Sequence, residues 1–261
     1  METHDYEQFI ENINRKTGID LSQYKEAQMK RRLISLYEKK GYKNFQEFYV
    51  AMSKDQVLFD EFLERMTINV SEFYRNKNRW DVLENKILPE MLQSNRTLKI
   101  WSAACSTGEE PYTIAMILSK FLPMSKIKVL ATDLDKTVIE RAKAGVYTAR
   151  SLQEVPKEMV QKYFHKDGIS YQISDDIKRT VTFREQNLLA DRYDQGFDLI
   201  VCRNVMIYFT DDAKDILYRK FNQALKVGGV FFVGSTEQIF NPQKYGFEII
   251  DTFFYRKVRS L

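Results

Sequence analysis

Apolar residues recur at three- and four-residue spacing through roughly the first 90 positions, with few strand signals. That period predicts helices over about 4–16, 22–40, 44–52, 55–67 and 77–93. In the second, Met29, Leu33, Leu36 and Tyr37 share one face, while Lys25, Gln28, Arg31 and Arg32 fall on another. Asn44 stands just before Phe45, with Glu47 three residues on, the pattern of a capping box. After Asn95 the texture changes. LKIWSAA (98–104), IKVLATD (127–133), VTFREQN (181–187), FDLIVCRN (197–204) and GGVFFVG (228–234) read as strands, the first as a buried one. Helical patterns over 135–144 and 211–226 fall between them. Another helix opens at Glu109, Glu110 and Pro111, where acids and proline suit a first turn. FEII (247–250) and TFFYRKV (252–258) read as a terminal strand pair.

Strand–helix alternation predicts an α/β fold, a parallel sheet covered by helices. The rhythm is broken at about 148–182. There YQISDDIKRTVTF alternates around a turn placed at Asp175–Asp176, which predicts a small β insertion. The expected organisation is a helical N-terminal domain over 1–76 and an α/β domain over 77–261.

Composition narrows the chemistry. The 261 residues include 44% hydrophobic residues, enough for a core without staples. The formal net charge of +4 says little until it is localised. Within residues 25–43, Lys25, Lys30, Arg31, Arg32, Lys39, Lys40 and Lys43 face only Glu26 and Glu38, so the second helix carries a basic cluster. Two histidines and two cysteines are too few for an easy zinc site or a cysteine–histidine nucleophile pair. Cys105 and Cys202 form no disulfide framework, which suits a reducing cytoplasm. METHDYEQF has no secretory apolar core, and no run approaches the ~18 apolar residues of a membrane helix.

The sharpest signal is SAACSTGEEPY (102–112), placed where open α/β sheets bind ligands, beyond the carboxyl end of the first strand. Gly108 is its one glycine, so this is not the three-glycine dinucleotide fingerprint. Glu109 and Glu110 oppose a pyrophosphate and suit a ligand with ammonium or sulfonium charge. Asp133 ends the second strand, where an acid accepts hydrogen bonds from ribose hydroxyls. Adenosine with a cationic tail points to S-adenosylmethionine, and the terminal strand pair fits the methyltransferase variant of the doubly wound sheet.

With NVSEFYR (69–75), WSAACSTGEEPYTIAM (101–116), ATDLD (131–135), NLL (187–189) and CRNVMIYF (202–209) in this order, the chain resembles the chemotaxis receptor methyltransferases, the CheR family. The resemblance covers almost the whole chain. It implies a class I S-adenosylmethionine-dependent fold, Rossmann-like and doubly wound with an antiparallel last strand, behind a helical receptor-docking domain. It also implies methylation of glutamate side chains on the cytoplasmic helices of chemoreceptors, yielding glutamyl methyl esters and S-adenosylhomocysteine. By the same resemblance, Asn69, Ser71, Arg75, Asp133, Asn187, Leu188, Arg203 and Asn204 contact the cofactor, with Glu110 or its neighbour Glu109 as the acid. Ser71 stands where many members have threonine. Tyr208 and Arg75 match the pair nearest the transferring methyl, with Arg75 on either cofactor or substrate. Lys25, Gln28, Arg31 and Arg32 become the candidate receptor-docking face. The insertion carries only Gly168, without the Gly-x-Gly feature of members that bind a C-terminal receptor pentapeptide, so direct recognition of the receptor body is expected. A cytoplasmic monomer recruited to membrane receptor arrays is expected, without nucleic acid, metal or membrane insertion. A nucleic-acid methyltransferase and a non-catalytic cofactor-binding adaptor are the alternatives.

The chemistry explains why so few histidines suffice. A glutamate carboxylate has a pKa of ~4.3 and arrives ionised at pH 7, so methyl transfer to it needs no general base.

Overall fold

A computed structural model describes residues 2–94 and 97–261, without the side chains of residues 2, 3 and 94. The helical period of the first third produces α1 (Glu2–Thr17), α2 (Glu26–Lys39), α3 (Phe45–Met52) and α4 (Gln56–Thr67). Their apolar faces meet in one core containing Phe9, Ile13, Met29, Leu33, Phe48 and Phe62. The N-cap half of the expected capping box forms, Asn44 Oδ1 accepting from the Glu47 amide at 2.8 Å, while Glu47 Oε2 reaches one residue further back to accept from the Lys43 amide at 3.0 Å. Residues 77–94 form one helical rod, α5 (Lys77–Val82) and α6 (Leu88–Ser94), joined by a π turn over Leu83–Ile87.

The remaining strands and helices, in chain order, are β1 (Ile100–Ala103), α7 (Glu109–Leu118), β2 (Val129–Asp133), α8 (Lys136–Ala144), β3 (Val146–Thr148), α9 (Lys157–Tyr163), β4 (Phe164–Asp167), β5 (Ser170–Ile173), α10 (Asp175–Lys178), β6 (Val181–Glu185), β7 (Phe197–Cys202), α11 (Asp211–Ala224), β8 (Leu225–Val233), β9 (Phe247–Asp251) and β10 (Phe254–Lys257). Seven strands form one sheet in the order β6-β2-β1-β7-β8-β10-β9. The first five run parallel, and β10 pairs antiparallel to both β8 and β9. This is the doubly wound methyltransferase sheet with a reversed last strand. One face packs on the side of α7 and Trp80, the other on α11 through Trp101, Phe221 and Phe231. The chain order reverses between β1 and β7, so the loops after β1, β2, β6 and β7 converge at the switch point, where such sheets bind ligands.

The insertion differs from its sequence reading. Its three antiparallel strands run in the order β3-β5-β4, and the hairpin turns at Gly168 (φ 56°). Asp175 and Asp176 instead open the short helix α10, and the VTF run belongs to the main-sheet strand β6, as the reading of VTFREQN expects. Alternation alone did not distinguish a hairpin turn from a helix start, because acids suit both.

Two of the links between the helical domain and the sheet domain border the cleft. One is the covalent crossing at Thr67–Asn69. The other is a backbone clasp, in which the Lys25 amide donates to Tyr208 O at 2.9 Å and the Thr210 amide donates to Gln23 O at 2.9 Å. Tyr24 and Phe209 sit between these bonds, with ring centroids 4.8 Å apart. No described helix is long and apolar enough to cross a membrane.

Candidate active site

The converging loops and the inner edge of the helical domain line a cleft that opens to solvent. It is lined by every one of Asn69, Ser71, Arg75, Glu110, Asp133, Asn187, Leu188, Arg203, Asn204 and Tyr208. Residues 139 positions apart in sequence thus come together, most of them gathered by strand ends and the rest by the 69–76 loop.

Asp133 closes β2. Its carboxylate accepts from the Ser106 amide at 2.8 Å and the Asp135 amide at 3.0 Å. Ser106 adopts φ 47° to aim that amide. Burial pushes the Asp133 carboxyl up to about 6, against the pull of those amides. Four of the eight described non-glycine residues with positive φ line this cleft (Ile68, Ala104, Ser106 and Asn204). Backbone strain is therefore concentrated where the sequence motifs lie.

The paired acids differ in orientation. Successive helix residues are turned about 100° apart. Glu110 faces the cleft, accepts from the Ser102 hydroxyl at 2.8 Å and lies 3.9 Å from Arg203 Nη1. Burial pushes its carboxyl up to about 7, opposed first by Arg203 and then by Ser102. Glu109 is not in the cleft lining. It accepts from the Thr107 hydroxyl at 2.7 Å, and burial raises its pKa too. Gly108 precedes both at φ 92°, and a Cβ there would stand 2.9 Å from the Ala142 Cβ.

Arg203 is almost wholly buried, with its guanidinium over the rings of Trp80 and Phe232 at 5.0 and 4.9 Å. Its Nη2 donates to Arg75 O at 2.8 Å and Asn76 Oδ1 at 3.2 Å. It ties the 69–76 loop to β7. Arg75 donates from Nη1 to Val70 O at 3.1 Å within that loop. Asn69 accepts from the Ser106 hydroxyl at 3.1 Å and donates to Asp135 at 3.3 Å, linking two loops. Asn187 caps its own turn, its Oδ1 accepting from the Leu189 and Ala190 amides.

Tyr208 stands at the mouth. The Arg32 guanidinium lies 4.8 Å from its ring centroid, so one member of the basic helix face reaches the cleft edge. Lys25, Gln28 and Arg31 remain exposed on α2 and do not line the cleft.

Three further residues escaped the sequence reading. Gln186 lines the cleft, and its Oε1 is buried without a hydrogen-bond partner. Its place directly after β6 was the available signal. Tyr24, from the helical domain, forms part of the wall, and burial followed by the Asp133 charge raises its hydroxyl pKa. Glu237 lies beneath the 204–208 segment. Neither of these last two has a local sequence signature.

Two family models match the chain: "CheR methyltransferase, all-alpha domain" over residues 4–67, and "CheR methyltransferase, SAM binding domain" over 69–254. A chemotaxis protein methyltransferase of Listeria monocytogenes is 46% identical over 254 residues, 97% of each chain. One of Borreliella burgdorferi is 35% identical, covering 88% of this chain and 86% of its own. Among solved structures, a TehB-like SAM-dependent methyltransferase of Corynebacterium glutamicum matches with TM-score 0.40 and 17% identity, over 69% of this chain and 93% of its own.

Proposed function

Because the chain belongs to the CheR methyltransferase family through both its domains, we propose that it methylates glutamate carboxylates on the cytoplasmic helices of chemoreceptors. It is a S-adenosylmethionine-dependent methyltransferase of chemotaxis, and chemoreceptors are its substrates. The matches favour neither a nucleic-acid methyltransferase nor a non-catalytic adaptor. The observation carrying the carboxylate target is the meeting of Arg32 with Tyr208, where a basic helix face ends at the mouth of an acid-lined cofactor cleft. A helix rich in glutamates is steered by such a face and delivered to that mouth.

The cleft fits the methyl donor on its own terms. The orphaned Gln186 Oε1 is an acceptor suited to the adenine amino group, and Leu188 and Leu134 supply apolar surface in the same wall. Asp133 accepts from ribose hydroxyls, and Glu110 faces positive charge. Asn69, Ser71, Asn187 and Asn204 supply further polar lining. Arg75 holds the carboxylate of the donor's methionine moiety. On the substrate instead, a tight arginine contact would lower the nucleophilicity of the attacking oxygen.

S-adenosylmethionine, when bound, supplies a methyl group whose bond to sulfur breaks as a carboxylate oxygen forms its own, leaving S-adenosylhomocysteine and moving no proton. The lining described contains no histidine, and this reaction asks for none. Both charges diminish on the way to the transition state, so the protein's contribution is positioning, which can be worth ~7–11 kcal/mol. Tyr208 orients the incoming carboxylate through its hydroxyl and faces the sulfonium with its ring. Recruitment to receptor arrays follows from the substrate, with recognition by the receptor body rather than a terminal pentapeptide.

Labelled S-adenosylmethionine incubated with receptor fragments or RNA tests the reading. Base-labile label on the fragments, released as methanol, is expected. Base-stable label, or label on RNA, overturns it.

A further inference from the structure

Arg203, Asn204 and Tyr208 lie on a short stretch that leaves β7, turns through left-handed geometry at Asn204 (φ 61°) and ends in a 3₁₀ turn at Met206–Tyr208. Such a stretch lacks a ladder to hold its amides, so a partner must come from elsewhere. The partner is a single buried carboxylate. Glu237 Oε2 accepts from the Asn204 amide at 2.6 Å and the Gly234 amide at 2.8 Å, and Oε1 accepts from the Ile207 amide at 3.3 Å. Glu237 is only 5% exposed and is not part of the cleft lining, so it does not meet donor or substrate directly.

A second observation supports the same seat. Gly234 does not need its glycine for a positive φ. A Cβ there would stand 2.8 Å from the Asn204 amide nitrogen and closer still to Glu237 Oε2. The chain leaves out a side chain at the one place where it would displace the carboxylate.

We propose that Glu237 is a positioning residue for methyl transfer, fixing Tyr208 at the mouth of the cleft by holding the amides of Asn204 and Ile207. This rests on the reading of Tyr208 given above. The arrangement matters because positioning carries this reaction. Misplacing the orienting group by a fraction of an ångström costs rate even when the donor still binds. Glutamine in place of Glu237 offers one carbonyl oxygen and an NH₂ group that faces amides it cannot accept from, so part of the hold is lost.

The test is a double-mutant cycle on the full chain with receptor fragment as substrate. Glu237→Gln is expected to lower kcat at least ~10-fold while leaving the Kd for S-adenosylhomocysteine within ~3-fold. In a Tyr208→Phe background the same change is expected to cost under ~2-fold. Gly234→Ala, which keeps the carboxylate but crowds its seat, is expected to show the same pattern. Unchanged kcat in Glu237→Gln, equal losses in both backgrounds, or a loss confined to donor affinity overturns the proposal. If Tyr208→Phe alone is fully active, the reading of Tyr208 fails instead, and amide hydrogen exchange on the wild-type protein still judges the hold. Slow exchange at Asn204 and Ile207 supports it, and exchange as fast as in an open loop refutes it.

Discussion

Glu110→Gln is expected to stabilise the cofactor-free protein while weakening its grip on the methyl donor. The carboxyl titrates at about 7 instead of 4.5, burial outweighing the pull of Arg203 and the hydrogen bond from Ser102. Each pKa unit is worth ~1.4 kcal/mol, so ionised Glu110 costs the fold about 3 kcal/mol at pH 8. The folded protein keeps this proton at pH values where the unfolded chain has lost it. The stability contribution is therefore complete below about pH 4.5 and disappears as the pH rises through about 7. Glutamine keeps an acceptor for Ser102 and carries no charge. At ~2–4 °C per kcal/mol, the variant's melting temperature should rise by about 6–12 °C at pH 8, and by less than about 3 °C at pH 5. Thermal melts of both proteins without cofactor, at both pH values, measure this. Loss of a charge-assisted partner, worth ~1.5–3 kcal/mol, should weaken S-adenosylmethionine binding ~10–100-fold in calorimetry at pH 8. A variant less stable at pH 8, or one with the same gain at both pH values, would refute the argument that burial dominates at this carboxylate.

Tyr208→Phe keeps the ring against Arg32 but removes the hydroxyl. Its kcat should fall ~10-fold or more with donor affinity nearly unchanged, and a large loss of S-adenosylhomocysteine binding would contradict that division of roles. Arg31→Glu should impair receptor methylation several-fold at low salt, less at moderate salt, without altering cofactor binding. Equal activity of variant and wild type at both salt concentrations would remove α2 as the docking face. Arg31 is the cleaner probe, since Arg32 also packs on Tyr208.

The parts of the site legible in the sequence are those on strand ends. Asp133 closes β2, so the pattern that revealed the strand also located it, whereas Asn187 and Leu188 after β6 and Arg203 and Asn204 after β7 were named by the family resemblance and are found on strand ends. The pair Glu109 and Glu110 stayed ambiguous because adjacent helix positions differ only in rotation, which is settled when α7 packs. Tyr24 and Glu237 were illegible for another reason. Each reaches the site from a different part of the fold, through the clasp in one case and from beyond β8 in the other. Local pattern carries no record of such meetings. The insertion shows the opposite limit: its strand character was visible, but the turn expected at Asp175–Asp176 is the start of α10, and the hairpin turns at Gly168 instead.

The backbone clasp at Gln23–Lys25 has a mechanical consequence. A domain tied to its neighbour at several separated points cannot swing freely about any one of them. Here the crossing at Ile68 and the Tyr24–Phe209 contact both border the cleft. Arg141 on Glu64 at 3.2 Å, the Asn187 side-chain amide donating to Gly18 O at 3.5 Å and Leu134 packed on the helical core add further ties. The wall that the helical domain lends to the cleft is thus braced from several directions, and loss of one tie leaves the others to hold the chamber's dimensions.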